Sequence, residues 1–297
     1  MLKPLLSICI PNYNRAQFLA KNLNSIAKQN QPGIEIVVCD DRSPEDIKSV
    51  IEKFKIKYPK VNLKYKQNKI NLGFDKNVLK TVSLANGEYC WLLSNDDKIL
   101  PESINKIIKT IKKHPHLALI LINYQRYDHL LKKITSKKMI SLKKDHSFNS
   151  ASNFFFQKTP NAYFNYMGLN CLTMSVNIFK RKYWKQEEKN NKKYTKYNFI
   201  HLFILTSIIK KHPNTYYISK PQLQYTANNH RVWSNPIWHD IRHYFLNHLL
   251  RLNYDKNKVF ILRKELKKRE LDEKIYLLGK KFPRLSNFLT LILRKTS

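Results

Sequence analysis

Short apolar blocks alternate with stretches whose apolar residues recur at helical spacing over the first 122 residues. Leu5-Leu6-Ser7-Ile8-Cys9-Ile10 predicts a strand, ended by Pro11-Asn12-Tyr13-Asn14-Arg15, and Leu19, Leu23 and Ile26 predict a helix from Ala16 to about Gln29. Gln31-Pro32-Gly33 reads as a turn into a second strand, Ile34-Glu35-Ile36-Val37-Val38-Cys39. Ser43, with Pro44 after it and Asp46 three residues on, predicts the cap of a helix reaching Lys57. Val61 to Lys66 follows as a more polar strand, then a helix ending at Asn86-Gly87, then a fourth strand through Tyr89-Cys90-Trp91-Leu92-Leu93. Alternation of this kind with short connections predicts a parallel sheet with right-handed crossovers.

The polar residues fall where such a sheet would use them. Each predicted strand ends in a polar cluster: Tyr13, Asp41, Asn71 with Asn77, and Asp96 with Asp97. In open α/β sheets ligands bind beyond the carboxyl ends of the strands, so four clusters on one rim describe a nucleotide-sized site. Adjacent carboxylates repel unless a cation or hydroxyl lies between them, and Asp96-Asp97 suits a hard divalent ion, Mg²⁺ or Mn²⁺. A solvated turn would carry the same two residues.

The ordered set Ser7-Ile8-Cys9-Ile10-Pro11-Asn12-Tyr13-Asn14-Arg15, Glu35 to Ser43, and Gly87-Glu88-Tyr89 leading to Asn95-Asp96-Asp97 resembles the family 2 glycosyltransferases. Asn71-Leu72-Gly73-Phe74-Asp75-Lys76-Asn77 resembles the abequosyltransferase-like branch, which assembles bacterial surface polysaccharide. The resemblance implies a GT-A fold, an α/β architecture with a Rossmann-like mixed sheet flanked by helices. It implies a nucleoside diphosphate-sugar donor, a metal, and transfer to a glycan such as lipopolysaccharide, lipooligosaccharide or capsule, with inversion by single displacement. Pro11, Tyr13, Asn14, Arg15 and Asn95 would line the nucleotide-sugar, Asp41 would accept from the base, and Asp96 would bind the ribose hydroxyls. Asp97 would hold the metal. Lys76, beside Asn77, stands where the family often has Arg; it keeps the charge and loses the bidentate fork.

Beyond Pro101 a helix to Lys113 and a strand Leu117–Ile122 are predicted, then aromatic and basic residues in which no element stands out. Leu169 to Phe179 suggests a strand, with a turn at Arg181-Lys182-Tyr183-Trp184; Trp184 would border the acceptor. The family draws its general base from an acid at a helix start in this half. Tyr197 to Leu205 has none, which leaves His201 as the titratable substitute, with a satisfied core histidine as the competing reading. After a strand at Thr215–Ile218, Gln222 to Thr226 and Asn228-Asn229-His230-Arg231 resemble the family's closing loop. His230 would then reach the metal and Arg231 the diphosphate. The expected divisions are residues 1–122 for the donor, 123–235 for the acceptor, and 236–297 as a helical extension.

Charge adds one partner. Lys and Arg number 55 against 21 acidic residues, a net +34, which favours nucleic acid, anionic lipid or phosphorylated substrates. From Lys258 onward 12 basic residues stand against 4 acidic ones, with Leu271, Ile275, Leu278 and Phe282 at helical spacing. Basic amphipathic helices of this kind lie on anionic membranes. No leader is legible at Met1-Leu2-Lys3-Pro4, no apolar run is long enough to span a bilayer, and the four cysteines lack ligand spacing. A cytoplasmic protein, peripheral on the inner face of a bacterial inner membrane, is expected. A nucleic-acid-binding protein and a nucleotidyltransferase are the rivals; the first lacks a recognisable motif, so no specific nucleic acid is expected, and the second lacks a Gly-rich phosphate loop.

Overall fold

The structure is a computed structural model that describes residues 3–128, 133–159, 165–226 and 241–281. It divides into two compact units, Met1–Asn229 and His230–Ser297. The first is built on a ten-stranded mixed sheet. Strands β1 (Leu6–Asn12), β2 (Ile34–Asp40), β3 (Leu63–Gln67) and β4 (Tyr89–Leu92) lie parallel in the order β3-β2-β1-β4. Helices α1 (Ala16–Ala27), α2 (Ile47–Lys57) and α3 (Phe74–Leu84) form the crossovers. Each turns an apolar stripe to the sheet: Leu19, Leu23 and Ile26; Ile47, Ile51 and Phe54; Val78 and Val82. β1 and β2 are buried along their whole length, as strands covered on both faces must be.

The sheet continues without a break into the second half of this unit. After the short β5 (Lys98–Ile99) and helix α4 (Ser103–Lys113) come β6 (Leu119–Tyr127), the short β7 (Ile134–Ser136) and β8 (His146–Phe148), β9 (Asn177–Lys180) and β10 (Thr215–Thr226). β9 is inserted antiparallel between β4 and β6, and β10 runs parallel to β6. Between them lie α5 (Ala151–Phe156), α6 (Met167–Asn170), α7 (Arg181–Asn191) and α8 (Ile200–Lys211). All residues of α8 from Ile200 to Ile209 are buried, which follows from a sequence apolar on every face.

Four local expectations are corrected. Asp46, not Ser43, caps α2, accepting the Ser49 N–H at 3.0 Å. The stretch 169–179 is a short helix, a 3₁₀ turn (Met174–Val176) and only then a strand. Arg181 opens a helix rather than a turn, with its Nε donating to the Gly87 carbonyl at 2.6 Å. The polar Gln222–Thr226 segment is the second half of β10, beyond a register shift at Pro221.

In the second unit a π-helical turn (Ile241–Phe245) leads to α9 (Leu246–Arg251) and the long α10 (Lys256–Lys281). Phe245, Leu246, Leu249, Tyr254, Val259, Leu262 and Leu266 are its buried apolar residues among those described. The helical character expected for residues 236–297 holds over Ile241–Lys281. No helix among the described residues is long and apolar enough to cross a membrane.

A buried carboxylate fixes the start of β4. Glu35 accepts from Ser7 Oγ at 2.5 Å and from the N–H groups of Asn86 at 2.5 Å and Gly87 at 3.1 Å. A Cβ on Gly87 would meet the Ser7 hydroxyl and stand 2.7 Å from the Ser7 backbone nitrogen. Gly87→Ala is therefore expected to destabilise the protein by about 2 kcal/mol or more, through overpacking and loss of this network, as read by urea denaturation.

Candidate active site

Asn12, fully buried at the end of β1, gathers the rim. Its side-chain amide donates to Asp40 Oδ1 at 2.9 Å, and its Oδ1 accepts from Asn95 Nδ2 at 2.7 Å. Its carbonyl accepts from the Asp41 N–H at 2.8 Å and from Asn77 Nδ2 at 3.3 Å. The ends of β1 and β2, helix α3 and the loop after β4 thus meet on one residue. Pro11 lies buried in β1, while Tyr13, the next residue past Asn12, is 48% exposed and presents its ring to solvent.

Asn14 and Arg15 follow with left-handed backbones, φ 56° and 63°. That turn is held by the Asn14 N–H on Ser43 Oγ at 2.7 Å, and by Glu45, whose carboxylate takes the N–H groups of Arg15 and Ala16 at 2.9 and 2.7 Å. Glu45 so caps α1 from another segment, satisfying amides that no side chain of α1 itself reaches. The Arg15 guanidinium is thereby directed onto Asp96 Oδ2, an ion pair joining the first motif to the third.

Asp41 is buried and works through both oxygens. It accepts the N–H groups of Leu72 and Gly73 at 2.8 and 2.9 Å and Asn68 Nδ2 at 2.9 Å. The loop before α3, where Gly73 has φ 81°, is held over the end of β2 in this way. Asn77 is structural as well, its amide donating to the Cys39 carbonyl at 3.1 Å, whereas Lys76 stands exposed on the same turn.

Asp96 and Asp97 differ sharply. Asp96 accepts from Ser94 Oγ at 2.6 Å besides Arg15. Asp97 is 2% exposed, accepts from Ser175 Oγ at 2.5 Å and the Thr226 N–H at 2.9 Å, and carries no ion pair of its own among the described residues. Burial, reinforced by the Asp96 carboxylate, pushes the Asp97 carboxyl well above the usual range. Ser175 is locked in turn by the Ser94 N–H at 2.8 Å, and Thr226 Oγ1 donates to the Asp96 carbonyl at 2.5 Å. Neither Ser175 nor Thr226 was singled out beforehand. Ser175 lies in a run without acids or periodicity, and Thr226 belongs to a strand end 129 residues from Asp97.

Asp97 uses two of its four acceptor positions, so its carboxylate keeps lone pairs that a hard cation could take. Among the described residues no cluster of three His, Cys, Asp or Glu converges, so a metal here would take its remaining ligands from substrate phosphate and water, as Mg²⁺ commonly does. His230 and Arg231 lie outside the described residues.

Two expectations meet a different placement. Trp184 is fully buried in α7, stacked on Phe179 at 4.4 Å between ring centroids, so it packs the core instead of facing an acceptor. His201 is 1% exposed, its Nε2 lies 3.1 Å from the Leu172 carbonyl, and burial lowers its pKa to about 4. That placement favours the core histidine over a base reaching an acceptor hydroxyl. The acid missing from the first turn of α8 is supplied from α3. Asp75 takes the N–H groups of Asn198 and Ile200 at 2.8 and 3.1 Å, capping α8 across the two halves of the sheet. A lone acidic residue before Lys76 gives no sequence signal for that contact.

The chain belongs to the glycosyl transferase family 2, whose model matches residues 7–261. It is 39% identical to the abequosyltransferase RfbV of Salmonella typhimurium over 102 residues, covering 34% of this chain and 30% of that protein. It is also 33% identical over 111 residues to the GalNAc(5)-diNAcBac-PP-undecaprenol beta-1,3-glucosyltransferase of Campylobacter jejuni, covering 36% of this chain and 34% of that one. These matches span about a third of each relative. The structure of S. aureus TarS 1-349 in complex with UDP superposes with a TM-score of 0.64 at 19% identity, over 90% of this chain and 72% of that one. Mannosyltransferase PcManGT from Pyrobaculum calidifontis, in complex with GDP-Man and Mn2+, gives 0.54 at 13% identity, over 86% and 66%. The fold is that of the GT-A glycosyltransferases.

Asp75 provides a test that does not depend on substrate. Burial raises its pKa from 3.8 to about 6, against the opposing pull of the backbone amides. Below pH 3.8 both folded and unfolded states hold the proton, and above about pH 6 neither does. Between these values the folded state binds more proton, so this group's contribution to stability falls as pH rises. Asp75→Asn removes the titration, and wild type should lose about 2 kcal/mol relative to it between pH 4 and 7, as measured by denaturant titration at each pH.

Proposed function

We propose that this chain is a metal-dependent glycosyltransferase that moves a sugar from a nucleoside diphosphate donor to a bacterial surface-glycan acceptor, with inversion by single displacement. The observation that carries the reading is the convergence on Asn12 of the polar ends of β1, β2, α3 and β4, with a buried carboxylate pair beside it. Tyr13 offers an exposed ring for a base, and Asp41 with the loop it holds would bound the base's edge. Asp96, at the mouth, would take ribose hydroxyls. Arg15, now paired with Asp96, is the cation that an incoming diphosphate would compete for.

Mg²⁺ or Mn²⁺, held by Asp97 with Asp96 beside it, would supply charge neutralisation for the departing diphosphate. Ser175 and Thr226 fix the Asp97 carboxylate so that it need not reorganise when charge develops. His230 and Arg231, carried on the chain beyond β10, are proposed to close over the diphosphate. No acceptor base is assigned, since His201 lies in the core. The match to a transferase named for an undecaprenol-linked glycan supports a lipid-linked or lipopolysaccharide acceptor, and with it work at the cytoplasmic face of the inner membrane.

Thermal unfolding against UDP-, CDP-, GDP- and dTDP-sugars, each with and without Mn²⁺, tests the donor site. A ligand at 100 times its dissociation constant should add about 2.7 kcal/mol of stability. We expect one nucleotide to shift the transition in a metal-dependent way, with the shift lost in Asp97→Ala. A folded sample that responds to none of them would overturn the reading.

A further inference from the structure

Helix α10 carries apolar residues on two sides, one buried and one exposed among the described residues. Val259, Leu262 and Leu266 recur at helical spacing and are buried. On the opposite side Phe260 and Ile261 are adjacent, 57% and 50% exposed, and large. Projected at 100° per residue, they share the outward arc with Lys264 and Lys268, with Lys267 at its border. Lys264 holds its ammonium 4.7 Å from the Phe260 ring centroid. Glu265 projects to the flank, and Glu270 is buried among the inward residues.

We propose that the outward face of α10 docks on an anionic lipid bilayer, with Phe260 and Ile261 entering between headgroups and Lys264, Lys267 and Lys268 lying against their phosphates. The inference rests on the membrane-peripheral part of the reading above and is independent of the donor site. Charge selects this occupant. A second copy of the chain would bring two lysine-rich faces together on a molecule of net +34, and like charges oppose that contact. A protein surface with an aliphatic–aromatic pair ringed by lysine stems matches the graded polarity of a headgroup layer, where apolar tips go down and ammonium groups stay at phosphate level.

The test is co-sedimentation of the full chain with vesicles of phosphatidylcholine alone and of phosphatidylcholine mixed with phosphatidylglycerol. Wild type should bind the mixed vesicles and not the neutral ones. Phe260→Gln with Ile261→Gln, exposed changes that keep good helix formers, should weaken binding at least tenfold. Lys264→Glu, Lys267→Glu and Lys268→Glu together should abolish it, since each lysine is worth about fivefold near such a surface. Circular dichroism and the nucleotide-sugar thermal shift are run on the same variants. A retained shift with lost vesicle binding supports the docking face by itself. Lost vesicle binding in variants of a protein that never responded to nucleotide would sink the transferase reading and leave the docking face standing. Equal binding by wild type and the Gln pair would overturn the proposal. So would a wild type that ignores both vesicles yet self-associates, or binds single-stranded RNA, through the same residues.

Discussion

Everything at the rim depends on keeping polar groups buried and paired at the carboxyl ends of four strands. A buried amide such as Asn12 costs several kcal/mol if left unpaired, and this one is satisfied by bonds to Asp40, Asn95, Asp41 and Asn77 together. No member can move without orphaning another. The network therefore fixes the spacing of the rim motifs more firmly than the loops that carry them could.

Two of the capping arrangements extend the same constraint. Glu45 caps α1 from the loop after β2, and Asp75 caps α8 from α3. Each places a carboxylate on helix amides that have no partner in their own helix, and each ties together segments 30 and 125 residues apart. Asp75 pays for its position with a raised pKa, whereas Arg15, oriented by the Glu45 contact, brings a positive charge to Asp96. Like Glu35, Asp41 and Asp75, Asp97 keeps its carboxylate buried with hydrogen bonds and no ion pair among the described residues, and the neighbouring Asp96 carboxylate adds to burial in raising its pKa.

The division of labour in the sheet explains where function can vary. The parallel half, β3-β2-β1-β4, holds the polar rim around Asn12 on short connections. The half containing β6, β9 and β10 delivers Ser175 and Thr226 to Asp97 and surrounds the buried α8. Family membership and the likeness to GT-A structures agree with this layout.

The sequence by itself determined the parallel half and its rim. Apolar strands, helical spacing and polar strand ends are local signals with strong periods, and Tyr13, Asp41, Asp96 and Asp97 stand where those signals place them. Tertiary structure decided the rest, because the remaining contacts pair residues with no local pattern. The sequence leaves Trp184 free to border an acceptor and His201 open between a base and a core histidine, and packing of α7 and α8 against the sheet turns both inward. Ser175, Thr226, Glu45 and Asp75 acquired their roles only when distant segments met. A hydrogen bond formed across that distance leaves no period in the chain, and burial, which sets its strength, exists only once the sheet has closed around it.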